Sequence, residues 1–504
     1  MSASPPRRRP GVVWAVATAA FFLMGAGWAL ALPANGTYDE SQHVIRAYAA
    51  ASGQLYGHPD AHLGGASFDV PRSLLPDNAN CTWKGARRPA TCQHRPATDR
   101  TRVLTNTAAG RYNPVYYALV GLPEVISPSF AGIVGARLLS AFLSAVLLGA
   151  AAAIAWTRGE RLLLGAIVLA TTPMALNLAG SVNPNGLEIS AGVLCWTALL
   201  VLLRGTTAAD GRGDRLLLWC AGVSAALLLT LRTLGPLFLL MTVVGAWALA
   251  RPGRVRKLRS SRLLLALLAL VAVYAVAWTL LSGQLGVTPS TTGSADSAVR
   301  TIRLIVARRA DFWTEQVVGV FSYGETLLPR WVYPVWYALG GALVVPAVLL
   351  ARRWDAVALV SIGGAAVAVL TVLEVHYRGV LGFSQHGRYV MPFAVGMLLG
   401  AALVVPWQQA LGPAGGRLPL LIALVTAPLQ IYALGAVMTR FERGVAALWQ
   451  PFGGGWHPPL GTVAPMAAEA LGVLGLLLVV LTCRASDGAA PARLGELAGV
   501  RGAT

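Results

Sequence analysis

The feature that most constrains the fold is a series of apolar runs that recurs along the whole chain. Each run is about 20 residues long, the length that an α-helix needs to cross the hydrocarbon core of a bilayer. With 56% hydrophobic and 12% charged residues among 504, the sequence predicts an all-α polytopic membrane protein with about twelve transmembrane helices. These are predicted at residues 12–32, 131–155, 161–179, 186–204, 215–231, 235–250, 262–282, 331–351, 355–374, 388–406, 417–438 and 462–482. The short runs 215–231 and 235–250 could also form one interrupted hairpin.

The arginines of the short loops predict the orientation of these helices. All of these loops fall on one side of the membrane if the N-terminus is cytoplasmic, as the excess of positive charge in cytoplasmic loops requires. The arginines lie within residues 7–9, 158–161, 204–215, 251–262 and 352–353. We therefore predict a basic cytoplasmic N-terminus at 1–11, a membrane domain at 12–482 and a disordered cytoplasmic tail at 483–504. The first run lacks a small-residue cleavage site, which favours a retained anchor.

Two segments on the predicted outer side are too long to be simple connectors. The first extracytoplasmic loop spans 33–130 and includes a short aromatic stretch before Pro123, which is typical of a re-entrant or interfacial segment. The second large outer loop spans 283–330. The formal charge is +19, and about half of the basic residues lie in these loops, where topology does not require them. This excess favours an anionic ligand, and the lack of a basic, aromatic-rich soluble domain argues against nucleic acid.

Cys81 and Cys92 lie eleven residues apart in the first of these loops. Because the outer face of the membrane is oxidising, we predict that they form a disulfide. The sequence contains no Cys-x-x-Cys motif and no Cys/His spacing of a metal site.

The densest group of ionisable residues follows the first apolar run and contains Asp39, Glu40 and His43. At spacings of three and four residues, these side chains face roughly one way on a helix. Acidic groups at the mouth of a membrane helix indicate a functional site. Thr37 and Glu40 also have the spacing of a capping box, which would give Glu40 a structural role. Both interpretations of Glu40 remain open at this point.

A second group of polar residues, Gln385 to Tyr389, precedes the predicted span at 388–406 and contains Arg388. Arginine can bind a phosphate through two parallel hydrogen bonds, whereas lysine offers a point charge. The alternative is that Arg388 and Tyr389 merely anchor a helix at the membrane interface.

Motifs in both groups and between them resemble the bacterial membrane-protein family called domain of unknown function 2142. They run in family order over about residues 12–480. The residues that carry the resemblance are Asp39, Glu40, His43, Arg46, Gly53, Asn113, Pro114, Tyr117, Pro173, Ser181, Val182, Asn183, Pro184, Gly324, Pro329, Trp331, Gln385, Gly387, Arg388, Tyr389 and Pro392. The chain departs from the family pattern at Asn185 and Glu325, where Asp is expected, and at Arg232, where Lys is common.

That family is similar to the polytopic glycosyltransferases of the C superfamily (GT-C). Those enzymes take a sugar from a polyprenyl-phosphate carrier and use a carboxylate in the first outer loop. The resemblance implies that Asp39, with Glu40 as a second candidate, is the catalytic carboxylate, and that Arg388 lies near the donor phosphate.

The implied chemistry suits the residue types. Asp39 would deprotonate an acceptor hydroxyl, with His43 orienting it or helping to bind a metal. Arginines or a divalent cation would neutralise the departing phosphate, and Asp39 and Glu40 are the candidate ligands of such a cation. The candidate phosphate-binding residues are Arg46, Arg232, Arg378 and Arg388, and Gln385, Tyr389 and Glu325 complete the predicted site.

The sequence thus predicts a hexosyl- or pentosyltransferase of the bacterial plasma membrane, with both termini cytoplasmic and the active site outside. Its partners would be the bilayer, a polyprenyl-phosphate sugar and an envelope glycan or lipid acceptor. The alternative is a transporter or flippase of a lipid-linked envelope precursor, which Arg137 within a span and the interrupted 215–250 run favour. The lack of an internal repeat and the concentration of charge at the outer face argue against it. A non-catalytic scaffold for envelope assembly is a third interpretation.

Overall fold

The computed structural model of the chain is almost entirely helical, and the predicted all-α polytopic fold class is confirmed. It describes residues 10–59, 65–83, 85, 87–94, 98–204, 211–255, 262–286, 293–294, 296–405, 407, 410, 412–444 and 449–483. Most of the predicted N-terminal segment (1–9) and of the predicted tail (484–504) lie outside these residues.

The helices follow the predicted apolar runs closely. In the membrane domain they are α1 (Pro10–Ala31), α5 (Phe130–Thr157), α6 (Arg161–Ala170), α7 (Pro173–Ala179), α8 (Pro184–Arg204), α9 (Gly211–Leu231), α10 (Gly235–Ala248), α11 (Arg262–Leu281), α14 (Val332–Leu350), α15 (Arg353–Leu381), α16 (Met391–Val404), α17 (Pro413–Arg443) and α18 (Val463–Thr482). The connecting segments add α2 (Glu40–Ala51), α3 (Pro114–Val120), α4 (Leu122–Ile126), α12 (Ala298–Arg308) and α13 (Ala310–Val318).

Ten of the described helices are long and apolar enough to cross a membrane, or eleven if the pair α6 and α7 counts as one span. That pair bends by 69° at Thr171 and Thr172, because Pro173 cannot continue the hydrogen bonding of α6 and Thr172 caps α7 instead. The run predicted at 235–250 forms α10, whose 14 residues are fewer than a span usually needs. The predicted number of twelve spans therefore stays a prediction.

The core of the bundle is built around α1 and α8. Helix α1 packs against α5 and α18, and α8 packs against α5, α9 and α16. Small residues allow close approach: a Cβ on Gly149 of α5 would lie 2.8 Å from the Thr18 backbone nitrogen of α1. All 21 residues of α8 are buried.

The two long connecting segments lie at one end of the bundle, which we call the loop end. It is the end at which α1 finishes at Ala31. Residues 32–129 contribute α2, α3, α4 and an antiparallel three-stranded sheet of β1 (His58–Pro59), β2 (Ala66–Pro71) and β3 (Arg102–Thr107). Residues 282–331 contribute α12, α13 and a hairpin of β4 (Val320–Phe321) and β5 (Thr326–Leu327). Helices α3 and α4 stand where the re-entrant or interfacial segment is predicted.

Several contacts fix these segments to each other and to the bundle. Arg111 donates a hydrogen bond from Nη1 to the Gly283 carbonyl at 3.3 Å, which joins the two segments. Arg440, near the end of α17, donates to the Thr82 carbonyl at 2.8 Å. Cys81 and Cys92 are joined by a disulfide. The loop end is therefore a packed layer of structure rather than a set of separate connections.

Candidate active site

Asp39 stands directly before α2, at the point where the chain turns from α1 into that helix. Its backbone is left-handed, with φ 57° and ψ 11°, a conformation that Asp and Asn tolerate better than most residues. Its side chain makes no cap hydrogen bond to α2 and is 41% exposed. The capping-box interpretation is wrong, because Asp39 rather than Thr37 is the cap residue and the Glu40 carboxylate is bound elsewhere.

Arg388 meets Asp39 although the two residues are 349 positions apart. Its Nη2 donates to Asp39 Oδ2 at 3.2 Å, and its guanidinium lies 3.8 Å from the centre of the Tyr38 ring. The residue is held in the turn Gly387–Val390 that leads into α16. Gly387 allows this turn to approach α13, since a Cβ there would lie 1.9 Å from the Trp313 carbonyl oxygen.

The hydrogen-bonding capacity of Arg388 is only partly used. The side chain is 2% exposed, and its Nε and Nη1 have no hydrogen-bond partner within the described part of the chain. A buried donor without a partner is unfavourable by about 1–3 kcal/mol. Two such donors on a guanidinium make Arg388 a candidate anion-binding residue.

Arg232 brings a second guanidinium to the same place. It lies in the break between α9 and α10, where the backbone turns from one helix into the next. Its guanidinium is 4.6 Å from the centre of the Tyr389 ring, which Arg388 also approaches, at 5.2 Å. Nη1 of Arg232 lies 3.9 Å from Glu188 Oε2, and Asn185 donates to the same oxygen at 3.1 Å.

These groups surround one cavity of about 180 Å³ at the loop end. Its walls come from α2, from the turn before α3, from the start of α8, from the α9–α10 break and from the turn before α16. The lining residues are Asp39, Gln42, His43, Ala108, Ala109, Tyr112, Asn183, Asn185, Arg232, Arg388 and Tyr389. Five of the predicted site residues are thus brought together, namely Asp39, His43, Arg232, Arg388 and Tyr389.

His43 lines the cavity as a neutral residue. Its Nδ1 forms a hydrogen bond with the Tyr117 hydroxyl at 2.8 Å. Burial, together with the positive charges of Arg232 and Arg388, lowers the pKa of His43 to about 3. The described contacts of His43 fix its ring through Tyr117 and not through Asp39, so the predicted orienting role toward Asp39 lacks a hydrogen bond.

Acid is expected to destabilise the folded protein through His43. Below its ordinary pKa of about 6.5 the unfolded chain binds a proton at this residue, whereas the folded protein binds one only near pH 3. Titration of His43 therefore leaves the free energy of unfolding unchanged above about pH 6.5. Below that pH it lowers the free energy of unfolding by about 1.4 kcal/mol per pH unit. Thermal unfolding between about pH 7 and pH 5 checks this. His43→Gln should show a shallower dependence, and an unchanged slope in that variant would contradict the assignment.

Glu40 is placed away from the cavity. Arg137 binds both of its carboxylate oxygens, with Nε 2.7 Å from Oε1, and both side chains are almost completely buried. Arg137 also donates to the carbonyls of Leu32 and Pro33, at 2.8 and 2.7 Å. Glu40 accepts hydrogen bonds from Arg137 and does not line the cavity that Asp39 lines, so a divalent cation shared by the two carboxylates stays a prediction. The described residues contain no cluster of three His, Cys, Asp or Glu side chains suited to a metal.

Two predicted phosphate-binding arginines also lie outside the cavity. Arg46 donates to the carbonyl oxygens of Tyr112, at 2.9 Å, and Gln54, at 3.3 Å. Arg378 pairs with Asp296 at 2.9 Å and lies 3.9 Å from the centre of the Phe383 ring. Both guanidiniums serve the packing of the connecting segments.

Gln385 and Glu325 have structural partners as well. The Gln385 carbonyl accepts hydrogen bonds from Trp313 Nε1, at 3.0 Å, and from Arg309, at 2.9 Å. Glu325 pairs with Arg440 at 3.2 Å. Neither residue lines the cavity, and their contacts hold the turn before α16 and the β4–β5 hairpin in place.

Sequence reasoning missed several of the residues that form the site. Gln42 and Asn183 line the cavity, and the Tyr38 ring lies against the Arg388 guanidinium. Asn183 carries the family resemblance but was given no role in the site, whereas Gln42 and Tyr38 are the neighbours of His43 and Asp39 in the chain. Proximity to a motif was therefore the available signal.

Comparison with known proteins identifies the family of this chain. The structure is similar to that of ArnT from Cupriavidus metallidurans in the apo state, with 16% sequence identity, a TM-score of 0.42, and coverage of 94% of this chain and 77% of that one. It is also similar to ArnT from the same organism bound to undecaprenyl phosphate, with 17% identity, a TM-score of 0.40, and coverage of 94% and 76%. No curated protein matches the chain. Residues 22–397, well over half of the sequence, match the family "Predicted membrane protein (DUF2142)", and the chain belongs to that family.

Proposed function

We propose that this protein is a membrane glycosyltransferase of the GT-C type. It would move a sugar from a polyprenyl-phosphate donor to an envelope glycan or lipid acceptor at the outer face of the bacterial plasma membrane. One observation carries the proposal. The partly exposed carboxylate of Asp39 is hydrogen-bonded to Arg388, a buried arginine with two further donors that lack partners among the described residues, and both residues line the same cavity at the end of the bundle.

The arginines suit the phosphate of a lipid-linked donor. The two donors of Arg388 that lack a partner among the described residues would bind phosphate oxygens, and Arg232 adds positive charge beside the same Tyr389 ring. Charge-assisted hydrogen bonds of this kind are roughly twice as strong as neutral ones. Because the cavity lies where the helices end, the phosphate can bind there while the polyprenyl chain remains in the bilayer.

Asp39 suits the role of general base. In the proposed reaction it accepts the proton of an acceptor hydroxyl, whose oxygen then bonds to the anomeric carbon of the sugar. The bond from that carbon to the phosphate oxygen breaks, and its electron pair leaves with the lipid phosphate. Arg388 and Arg232 stabilise the negative charge that develops on the leaving group. His43, which is neutral, can hydrogen-bond a sugar hydroxyl without adding charge to the cavity.

Two observations favour this function over the transporter or flippase. Arg137, the intramembrane charge that suggested transport, is bound by Glu40 and by backbone carbonyls, so its charge is used within the protein. The break between α9 and α10 places Arg232 at the loop end of the bundle rather than at its middle, where transporters bind their substrates.

Analysis of envelope glycans in a deletion strain tests the function directly. We expect a sugar to be missing from one envelope polymer or lipid and to return when the wild-type gene is restored. The same loss, with the lipid-linked precursor accumulating on the inner side of the membrane, would favour the flippase instead. An unchanged envelope without such a precursor would contradict both.

Arg388→Lys is expected to weaken binding of undecaprenyl phosphate by roughly 10–100-fold, since lysine keeps the charge and one donor but loses one of the two paired hydrogen bonds, worth about 1.5–3 kcal/mol with a charged group. Binding to the purified protein in nanodiscs, measured by native mass spectrometry, provides the test. Arg378→Lys is the matched comparison, because its guanidinium binds Asp296 outside the cavity. Equal effects of the two substitutions would remove Arg388 from the proposed phosphate site.

A further inference from the structure

An aromatic wall runs from Arg388 to the disulfide loop and is not used by the reaction described above. We call Tyr38, Tyr323 and Trp83 the aromatic wall. The Tyr38 ring lies against Arg388, the Tyr323 ring is 6.0 Å from Tyr38, and Trp83 stacks on Tyr323 at 4.3 Å with an interplanar angle of 12°. The three rings therefore form a row that begins beside Arg388, at the proposed phosphate site, and ends at Trp83.

The central ring of the wall is available to a ligand. Tyr323 is 55% exposed, which is unusual for a side chain that contacts two other aromatic rings. Burial raises the pKa of the Tyr323 hydroxyl, and the negative charge of Asp39 acts in the same direction. Tyr323 and Arg388 both contact the Tyr38 ring, so the exposed ring lies near the cavity that Arg388 lines.

Tyr323 lies at the tip of the β4–β5 hairpin, between two residues with positive φ. Ser322 has φ 57° and Gly324 has φ 99°, so left-handed residues flank Tyr323 on both sides. Non-glycine residues in this conformation cost of order 1–3 kcal/mol and occur preferentially at functional sites. A Cβ on Gly324 would lie 2.5 Å from the Tyr38 hydroxyl, so the glycine lets the hairpin tip sit directly on Tyr38.

Two hydrogen bonds and a disulfide hold Trp83 and its loop in place. Its Nε1 donates to the Asn35 carbonyl at 3.2 Å, and Arg440 holds the carbonyl of the preceding residue, Thr82, at 2.8 Å. The disulfide between Cys81 and Cys92 closes the loop that carries it. A ring held this firmly loses little conformational freedom when a ligand binds to the wall.

Sugar rings fit such a wall chemically. One face of many sugar rings carries mainly C–H groups, and the electron-rich face of an aromatic ring attracts them. Arg388 and Tyr323 both contact the Tyr38 ring, so a sugar bonded to a phosphate at Arg388 would lie near Tyr323.

We propose that the aromatic wall is the subsite for the donor sugar, with Tyr323 stacking on the ring that is transferred and Trp83 supporting Tyr323. The inference rests on the proposed function, since it assumes that Arg388 holds the phosphate to which this sugar is bonded. It assigns the wall to sugar recognition and the cavity to phosphate binding and chemistry.

The test compares binding of two kinds of lipid to the purified full-length protein in nanodiscs. One probe is undecaprenyl phosphate, and the others are the same lipid carrying glucose, mannose, galactose or arabinofuranose. For the wild type we expect at least one glycosylated lipid to bind more tightly than the bare phosphate. Tyr323→Ala should remove this preference, a loss of about tenfold for one aromatic stacking contact, while the affinity for the bare lipid stays unchanged.

Two further variants make the result specific. Tyr323→Phe keeps the ring and should keep the preference. Tyr56→Ala, the matched control, removes an exposed tyrosine of the first segment that stacks on Trp278 instead, and should also keep it.

The inference is overturned if Tyr323→Ala keeps the full preference, or if no glycosylated lipid binds the wild type more tightly than the bare phosphate. In both cases, Arg388-dependent binding of the bare lipid would leave the proposed function standing. A wild-type protein that binds none of these lipids would overturn the proposed function together with the subsite.

Discussion

Replacing Asp39 by asparagine is expected to lower kcat for sugar transfer by about 10²–10⁴-fold, the usual contribution of a general base. Asparagine cannot take the proton of the acceptor hydroxyl at neutral pH. It does keep an oxygen that accepts the hydrogen bond from Arg388, and it tolerates the left-handed backbone at this position. The affinity for undecaprenyl phosphate should therefore change little. Transfer from a labelled lipid-linked sugar, measured beside lipid binding on the same preparation, separates the two effects.

Asp77→Asn is the matched control for this experiment. Asp77 lies in the same connecting segment, but its carboxylate is 71% exposed and pairs loosely with Arg72 at 3.6 Å. We expect its transfer rate to equal that of the wild type. If Asp39→Asn retained transfer within a few-fold, Asp39 would not be the base. If it lost lipid binding as well, its main role would be to hold Arg388.

Replacing Arg137 by methionine is expected to lower the free energy of unfolding by about 3–5 kcal/mol. The substitution leaves the Glu40 carboxylate buried without its partner and removes hydrogen bonds from the carbonyls of Leu32 and Pro33. Those carbonyls belong to the turn that leads to Asp39, so the pair fixes the entrance to α2. Thermal or denaturant unfolding of the purified protein provides the measurement.

A second substitution shows whether the charge is responsible. The double variant Arg137→Met with Glu40→Met removes both charges, so it should recover most of the lost stability. Arg353→Met removes an exposed arginine and should have little effect. A double variant as unstable as the single one would mean that packing and the backbone contacts, rather than the unpaired carboxylate, account for the loss.

The sequence was sufficient to predict the apolar helices of this fold but not the strands of its connecting segments, because length and apolar composition determine whether a helix suits a membrane. All twelve predicted runs correspond to helices. The bend between α6 and α7 was not predicted, although Pro173 follows two threonines at that position. The position of such a bend relative to the cavity depends on the neighbouring helices. No local pattern in the sequence indicates how those helices pack.

The candidate site was predictable in its residue types and not in its pairings. Asp39 and Arg388 were singled out separately, from charge and from family resemblance, and the structure brings them together. Glu40 and Arg46 were further candidates from the sequence, but their partners lie far away in the chain, at Arg137 and at the Tyr112 carbonyl. Long-range packing decides which charged side chains pair within the protein and which ones line the cavity.

Because α8 is completely buried, we expect the thickness of the membrane to have little effect on the residues that this helix contributes to the cavity. Glu188 near its first turn and Arg204 at its last residue are sixteen residues apart, a rise of about 24 Å. Arg204 pairs with Asp355 at 2.7 Å, and Glu188 stands behind Arg232, so protein contacts fix both ends. A thinner or thicker bilayer acts on helices that face lipid, such as α11, and tilts those first. We expect the wall that α8 contributes to the cavity to keep its position, so that the geometry of the proposed site depends little on lipid composition.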